Sequence, residues 1–242
     1  MPKSANAERF VERLHAHRSS GQRDKYRRYF KLGEGEYGEG DEFVGVRMGQ
    51  VFALAKEFIE MPPDEIEKLL ESPIHEARAG ALSIMGKQAT LRRTSDERRR
   101  ELYELYLRRT DRIDDWDLVD ISAHHVVGRY LADKPRRVLY ELARSKNMWE
   151  RRIAMYATLA FARTGDVADT FGLAEILVDD EEDLVRKVVG GMLREAGKHD
   201  RPRLLEFLDR HAATMPRVTL RYSIEHFDKE QKAHYMGLKG AA

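Results

Sequence analysis

Apolar residues recur at helical spacing along nearly the whole chain, and the two-residue alternation of a half-buried strand is missing almost everywhere. That pattern restricts the chain to an all-α fold. Residues 6–18 and 22–32 read as amphipathic helices, the second rich in Arg and Lys. A helix over 48–60 stops at Met61-Pro62-Pro63, and the next begins at Asp64. Ser72-Pro73 places a capping residue before a proline, which predicts a helix from there to Gln88. Thr94-Ser95-Asp96 opens another, to about Arg109. Further helices are predicted over 114–131, 135–145, 147–164, 166–178, 181–197, 200–213 and 215–227.

The spacing also repeats. Trp116 and Trp149 stand 33 residues apart, each near the start of a helix, and Arg152 and Arg186 stand 34 apart. Helix pairs of roughly 33–42 residues are the unit of HEAT-like and armadillo-like repeats. Small residues (Ala79-Gly80-Ala81, Ala154, Ala157, Ala160, Gly190-Gly191) allow neighbouring helices to approach closely. The expected architecture is one domain of HEAT-like or armadillo-like helical repeats, forming a curved α-α superhelix (solenoid) with a concave face. Within it, residues 1–45 form N-terminal helices and a glycine-rich acidic connector, 46–228 the repeat body, and 229–242 a C-terminal tail.

Composition narrows the chemistry. With no cysteine in 242 residues, disulfides, thiolate catalysis and the commonest structural zinc ligands are excluded. No apolar run approaches the roughly 18–20 residues of a membrane span, and the first twenty residues lack a signal peptide's apolar core. A soluble cytoplasmic protein is expected, without membrane partners. The formal charge is only +1. Polyanion binding therefore depends on where the 43 Lys and Arg residues lie.

Trp116-Asp117-Leu118-Val119-Asp120 sets an indole and a carboxylate one helical turn apart on one face. A core tryptophan with a capping or ion-paired aspartate is the plain reading. The largely apolar run after Asp120 argues that a carboxylate there needs a cationic partner or a functional reason. In Trp149-Glu150-Arg151-Arg152, the guanidinium groups can reach phosphates, pair with Asp120, or form surface salt bridges. Basic clusters at 92–93, 98–100, 108–112, 136–137, 186–187 and 194–198 would line one groove if they occupy equivalent repeat positions. Asp120 and His124 could share a metal, but no third ligand is evident, so no metal or other cofactor is expected. No Gly-x-Ser-x-Gly elbow is present. The segment GEGEYGEGDEF at 33–43 lacks the Lys-Ser/Thr of a phosphate loop and reads as a flexible connector.

From about Tyr26 to Lys198 the chain resembles the AlkD-like DNA alkylation repair family, glycosylases of HEAT-like repeats that remove cationic N3- and N7-alkylated purines. The resemblance runs through RYFK (28–31), WDLVD (116–120), NMWERR (147–152) and MLRE (192–195), in that order. It implies that Asp120 is the catalytic aspartate, Trp116 the tryptophan beside the lesion and Arg152 the arginine on the neighbouring DNA. Tyr29 matches a tyrosine near the damaged strand's backbone. Gly191 stands where the characterised glycosylases carry a second tryptophan, and Trp149 is the ring available to replace it. Arg151, Arg186, Lys187 and Arg194 are the further candidates for phosphate contacts.

The expected activity is hydrolysis of the N-glycosidic bond of such bases by a monomer acting on alkylated duplex DNA. A base that already carries a positive charge leaves without an acid, so one carboxylate facing the sugar cation suffices. Two alternatives stay open: a DNA-binding repeat protein that has lost or changed catalysis, and a protein–protein scaffold.

Overall fold

The computed structural model describes residues 5–238. These form helices with no strand among them, apart from a single parallel bridge between Glu42 and Ile74. The all-α expectation holds. In chain order the helices are α1 (Ala7–His15), α2 (Ser20–Tyr29), α3 (Met48–Glu57), α4 (Pro63–Leu70), α5 (His75–Thr90), α6 (Asp96–Arg108) and α7 (Trp116–Ala123). They continue with α8 (Arg137–Leu142), α9 (Met148–Ala157), α10 (Leu159–Ala162), α11 (Ala168–Leu177), α12 (Asp183–Ala196), α13 (Arg201–His211), α14 (Arg217–Ser223) and α15 (Lys229–Gly237). None is long and apolar enough to cross a membrane.

The chain gathers into two compact units, Met1–Tyr130 and Leu131–Ala242. Each unit is built around one helix. In the first, α1, α3, α4, α6 and α7 pack on α5. Nearly every residue of α5 is buried, which is why its sequence shows almost no amphipathic bias. Gly80 lets α1 approach: a Cβ there would meet the Phe10 ring at 2.3 Å. In the second unit α9, α11, α13 and α14 pack on α12. Gly190 has the same role there, since a Cβ would meet the Thr219 carbonyl at 2.4 Å.

Three expectations are corrected. The helix predicted to open at Ser72-Pro73 begins at His75, and Ser72 Oγ instead accepts from the Ile74 N–H at 3.1 Å. The reason is tertiary. Pro73 O accepts from the Glu42 N–H at 3.0 Å and Glu42 O accepts from the His75 N–H at 2.9 Å, so residues 73–74 stay extended to pair. The 33–43 segment is no mere connector: Phe43 is buried, Asp41 enters an ion-pair cluster, and the chain continues into a bend capped by Glu76. Buried Glu76 accepts from the backbone N–H groups of Val44, Gly45 and Val46 at 3.2, 2.8 and 3.1 Å. Gly45 is required in that bend, with φ +85° and the Ser19 carbonyl 2.0 Å from where a Cβ would stand. Finally, the tail forms α15. Asp228 caps it by accepting from Gln231 N–H, and Tyr235 docks by donating to Asp209 at 2.9 Å.

Candidate functional site

Helix α7 carries both Trp116 and Asp120, which fall on one face a turn apart, and both are partly exposed. The indole is held from three sides. It stacks on Phe30 (centroids 5.9 Å, planes 16° apart) and meets Tyr29 edge-on at 5.9 Å, and its N–H hydrogen-bonds the Tyr37 hydroxyl. Tyr29 ends α2 with 67% of its surface exposed. The first unit thus assembles three of the sequence candidates, Tyr29, Trp116 and Asp120, on one aromatic platform. Tyr37 comes from the glycine-rich segment, which therefore helps to orient the ring.

Beneath the platform lies a buried ionic cluster that sequence reasoning missed. His75 is fully buried at the start of α5, against the faces of Phe30 and Phe43 at 4.9 and 4.8 Å. Its Nδ1 lies 2.8 Å from Asp41 Oδ2 and its Nε2 2.9 Å from Asp117 Oδ2. Arg78, one turn on, donates to both oxygens of Asp41 (2.8 and 2.9 Å) and to Asp114 at 3.1 Å. With a carboxylate at each ring nitrogen, the imidazole is an imidazolium donating twice. Burial pulls its pKa down, but the Asp117 charge and the hydrogen bonds to Asp117 and Asp41 outweigh it and raise the pKa to about 10.

Asp115, also buried, accepts from the Trp116 N–H at the start of α7. Burial, and then the Asp117 charge, push its carboxyl up to about 8. For Asp41, burial is outweighed by the His75 hydrogen bond and the Arg78 charge, which hold it below the usual carboxylate range. Asp41, His75 and Asp115 each offer a ligand atom within 4.8 Å of the others, so these are the residues that could hold a metal ion. Ligation there would have to displace the imidazolium proton, and with Arg78 already on Asp41 the geometry favours the proton. No short motif marks the cluster, because Asp41, His75 and Asp117 lie 34 and 42 residues apart.

The other candidates lie in the second unit. Trp149 is buried near the start of α9, which Asn147 caps by accepting from the Trp149 N–H at 2.9 Å. Arg152 is only 6% exposed, and its Nη1 donates to the Leu184 carbonyl in the first turn of α12. Arg151 is clamped on Asp180 (2.6 and 3.1 Å) and on the carbonyls of Ser145 and Lys146. Arg186 donates to the Asp180 carbonyl, Lys187 pairs with Asp183 at 2.7 Å, and Arg194 pairs with Glu225. Gly191 is buried, yet a Cβ there would meet nothing within 4 Å.

Most of the basic clusters are similarly paired: Arg99 with Asp96, Arg100 with Glu104, Arg108 and Arg109 with Glu67, Arg136 with Asp166 and Asp169. By contrast, Arg23, Lys25 and Arg27 on α2 are exposed, and none of them has a carboxylate in ion-pair reach among the described residues. They share a helix with Tyr29. The basic sequence of α2 is the signal for them.

Residues 10–227 match the family described as DNA alkylation repair enzyme. Among solved structures, a protein described as a predicted DNA alkylation repair enzyme from Enterococcus faecalis superposes with a TM-score of 0.66 at 18% identity. That likeness covers 88% of this chain and 98% of the other. A second, described as belonging to a new family related to the HEAT-like repeat DNA glycosylases with affinity for branched DNA structures, gives a TM-score of 0.60 at 13% identity. It covers 97% and 96% of the two chains. These likenesses identify the fold as the HEAT-like repeat kind. No curated protein matches the chain.

Proposed function

We propose, since the chain belongs to the DNA alkylation repair enzyme family, that it hydrolyses the N-glycosidic bond of cationic N3- and N7-alkylated purines in duplex DNA. The observation that carries this reading is the pairing on α7: Asp120 partly open to solvent, one turn beyond an indole locked by Phe30, Tyr29 and Tyr37. An alkylpurine leaves as a neutral base, and positive charge then develops on the deoxyribose. The Asp120 carboxylate stabilises that cation and orients the attacking water. The face of Trp116 adds attraction to the cationic base and sugar. The unpaired cations of α2 supply contacts to phosphates beside Tyr29, which position the duplex without reading sequence. Arg151, Arg186, Lys187 and Arg194, all partly exposed, are proposed as further phosphate contacts of the second unit, whereas Trp149 and Arg152 are buried within it.

The test is incubation with duplex DNA containing 7-methylguanine, with chromatography of the freed purine. Asp120→Asn should abolish release while leaving duplex binding largely intact. Unchanged release by that variant removes the mechanism.

Two observations favour a second reading, DNA binding without base release. Gly191 leaves vacant the position of the family's second tryptophan, and the structural neighbour with affinity for branched DNA shares the fold. On this reading the wild-type protein frees no base even in excess, and it binds a four-way junction in preference to a linear duplex of equal length.

A further inference from the structure

The first unit holds a cavity of about 270 Å³ that is open to solvent. Phe52 of α3, Ser83 and Lys87 of α5, and Ile121, His124 and His125 at the end of α7 line it. His124 and His125 begin a π-helical turn, His124–Gly128, in which the Arg129 N–H reaches back five residues to the His124 carbonyl. Such widened turns often mark functional sites. The two imidazole rings lie 3.8 Å apart between centroids. Gly86 brings α5 close to this turn, since a Cβ there would stand 3.3 Å from the His125 Cβ.

Lys87 is the unusual group in the cavity. Its Nζ donates to Ser83 Oγ at 2.7 Å and lies 5.5 Å from the centroid of the Phe52 ring. Among the described residues no carboxylate pairs with it. Burial, and then the Lys56 ammonium, push its pKa below the usual lysine range. A desolvated lysine near another cation carries more free amine, which is the nucleophilic form. The cavity volume lies at or below the small end for ligand sites, which suits a sugar better than a whole nucleoside. Asp120 immediately precedes Ile121 and stands one helical turn before His124, both of which line the cavity.

We propose that Lys87 is the nucleophile of an imine-forming site for the ring-opened deoxyribose of an abasic nucleotide. The inference rests on the glycosylase reading, because base release leaves a sugar whose open form carries an aldehyde at C1′. The amine lone pair adds to C1′, and the carbonyl oxygen takes up a proton to give a carbinolamine. An imidazole of His124 or His125 relays both protons from the nitrogen to the oxygen, the first as the carbinolamine forms and the second to the departing hydroxyl. Water leaves and the C=N bond forms. The net reaction is amine plus aldehyde to imine plus water, and hydrolysis reverses it. Held in this way, the reactive abasic sugar stays with the protein after the base has left.

The test supplies the aldehyde ready-made. The full chain is incubated with a duplex carrying one abasic site and with sodium cyanoborohydride, which reduces an imine to a stable secondary amine. Electrophoresis should show a covalent protein–DNA adduct that peptide mass spectrometry maps to Lys87. In Lys87→Arg, which keeps the charge but forms no imine, the adduct should fall by roughly tenfold or more. Mapping on the wild-type protein decides the matter even if the variant folds poorly. No adduct, or an adduct spread over other lysines and undiminished in Lys87→Arg, overturns the inference. Because no base need be excised, a protein that releases no alkylpurine still forms the adduct if Lys87 is the nucleophile. Release of 7-methylguanine without an adduct defeats this inference alone.

Discussion

His75 Nε2 on α5 lies 2.9 Å from Asp117 Oδ2 on α7, so a fully buried imidazole holds the first turn of the helix that carries Trp116 and Asp120. The opposite nitrogen holds Asp41, at the end of the glycine-rich segment that also supplies Tyr37. One side chain therefore ties the helix that carries Trp116 and the segment that carries Tyr37 to the central helix of the first unit.

Removing that group leaves Asp41 and Asp117 facing a cavity. His75→Ala should cost about 3–5 kcal/mol, the penalty for deleting one partner of a buried ion pair. Urea denaturation followed by circular dichroism measures it. A midpoint unchanged from wild type would mean that the cluster contributes nothing.

The same cluster predicts how stability varies with pH. The His75 pKa is raised from about 6.5 unfolded to about 10 folded, so its contribution is complete below pH 6.5 and is lost as pH rises through 10. Asp115 acts in the same direction. Its carboxyl is raised from about 3.9 to about 8, which favours the folded state at low pH and weakens it as pH rises toward 8. Asp41, held low, adds stability above its unfolded value and loses it under acid. Melting temperature should therefore fall as pH rises from about 4 to about 10, and Asp115→Asn should flatten the part of the fall below pH 8. A flat profile across that range would exclude a buried imidazolium.

Two adjacent glycines should respond in opposite ways. A Cβ on Gly190 would meet the Thr219 carbonyl at 2.4 Å and the Tyr222 Cβ at 2.6 Å, so Gly190→Ala should force α12 and α14 apart and cost roughly 1–3 kcal/mol. At Gly191 a Cβ meets nothing within 4 Å, so Gly191→Trp should fold with a melting temperature near wild type. If the glycosylase reading holds, the added ring should also raise 7-methylguanine release. Collapse of Gly191→Trp on expression would show that the space there cannot hold a ring.

Exposure separates folding from function at Tyr29. The side chain is 67% exposed and edge-on to Trp116, so Tyr29→Ala should change stability by less than about 0.5 kcal/mol. It should nonetheless weaken binding to alkylated duplex by roughly three- to tenfold, about 1 kcal/mol of lost aromatic contact. Equal affinity of variant and wild type, measured by fluorescence anisotropy at fixed salt, would remove Tyr29 from the interface.

Much of the helical content was legible in the residues themselves, because helix periodicity, capping and proline stops act over a few positions. Ser95 caps α6 as read, and the 3.6-residue period that places Trp116 and Asp120 on one face is realised in α7. The helix of the tail also begins on a local signal, the cap that Asp228 forms by accepting from the Gln231 N–H.

What only the tertiary structure decided depends on groups distant in the chain. The start of α5 moved to His75 because Glu42 pairs with the backbone at 73–75, a competition no local window contains. Likewise a segment with the composition of a connector became a structural support. Its Tyr37, Asp41 and Phe43 find an indole, an imidazolium and a ring stack that folding brings to them from α5 and α7. Sequence determines which residues can be helical and which faces they share. The carboxylates that keep a buried histidine protonated, and the burial that turns a lysine toward a free amine, come together only once the chain has packed.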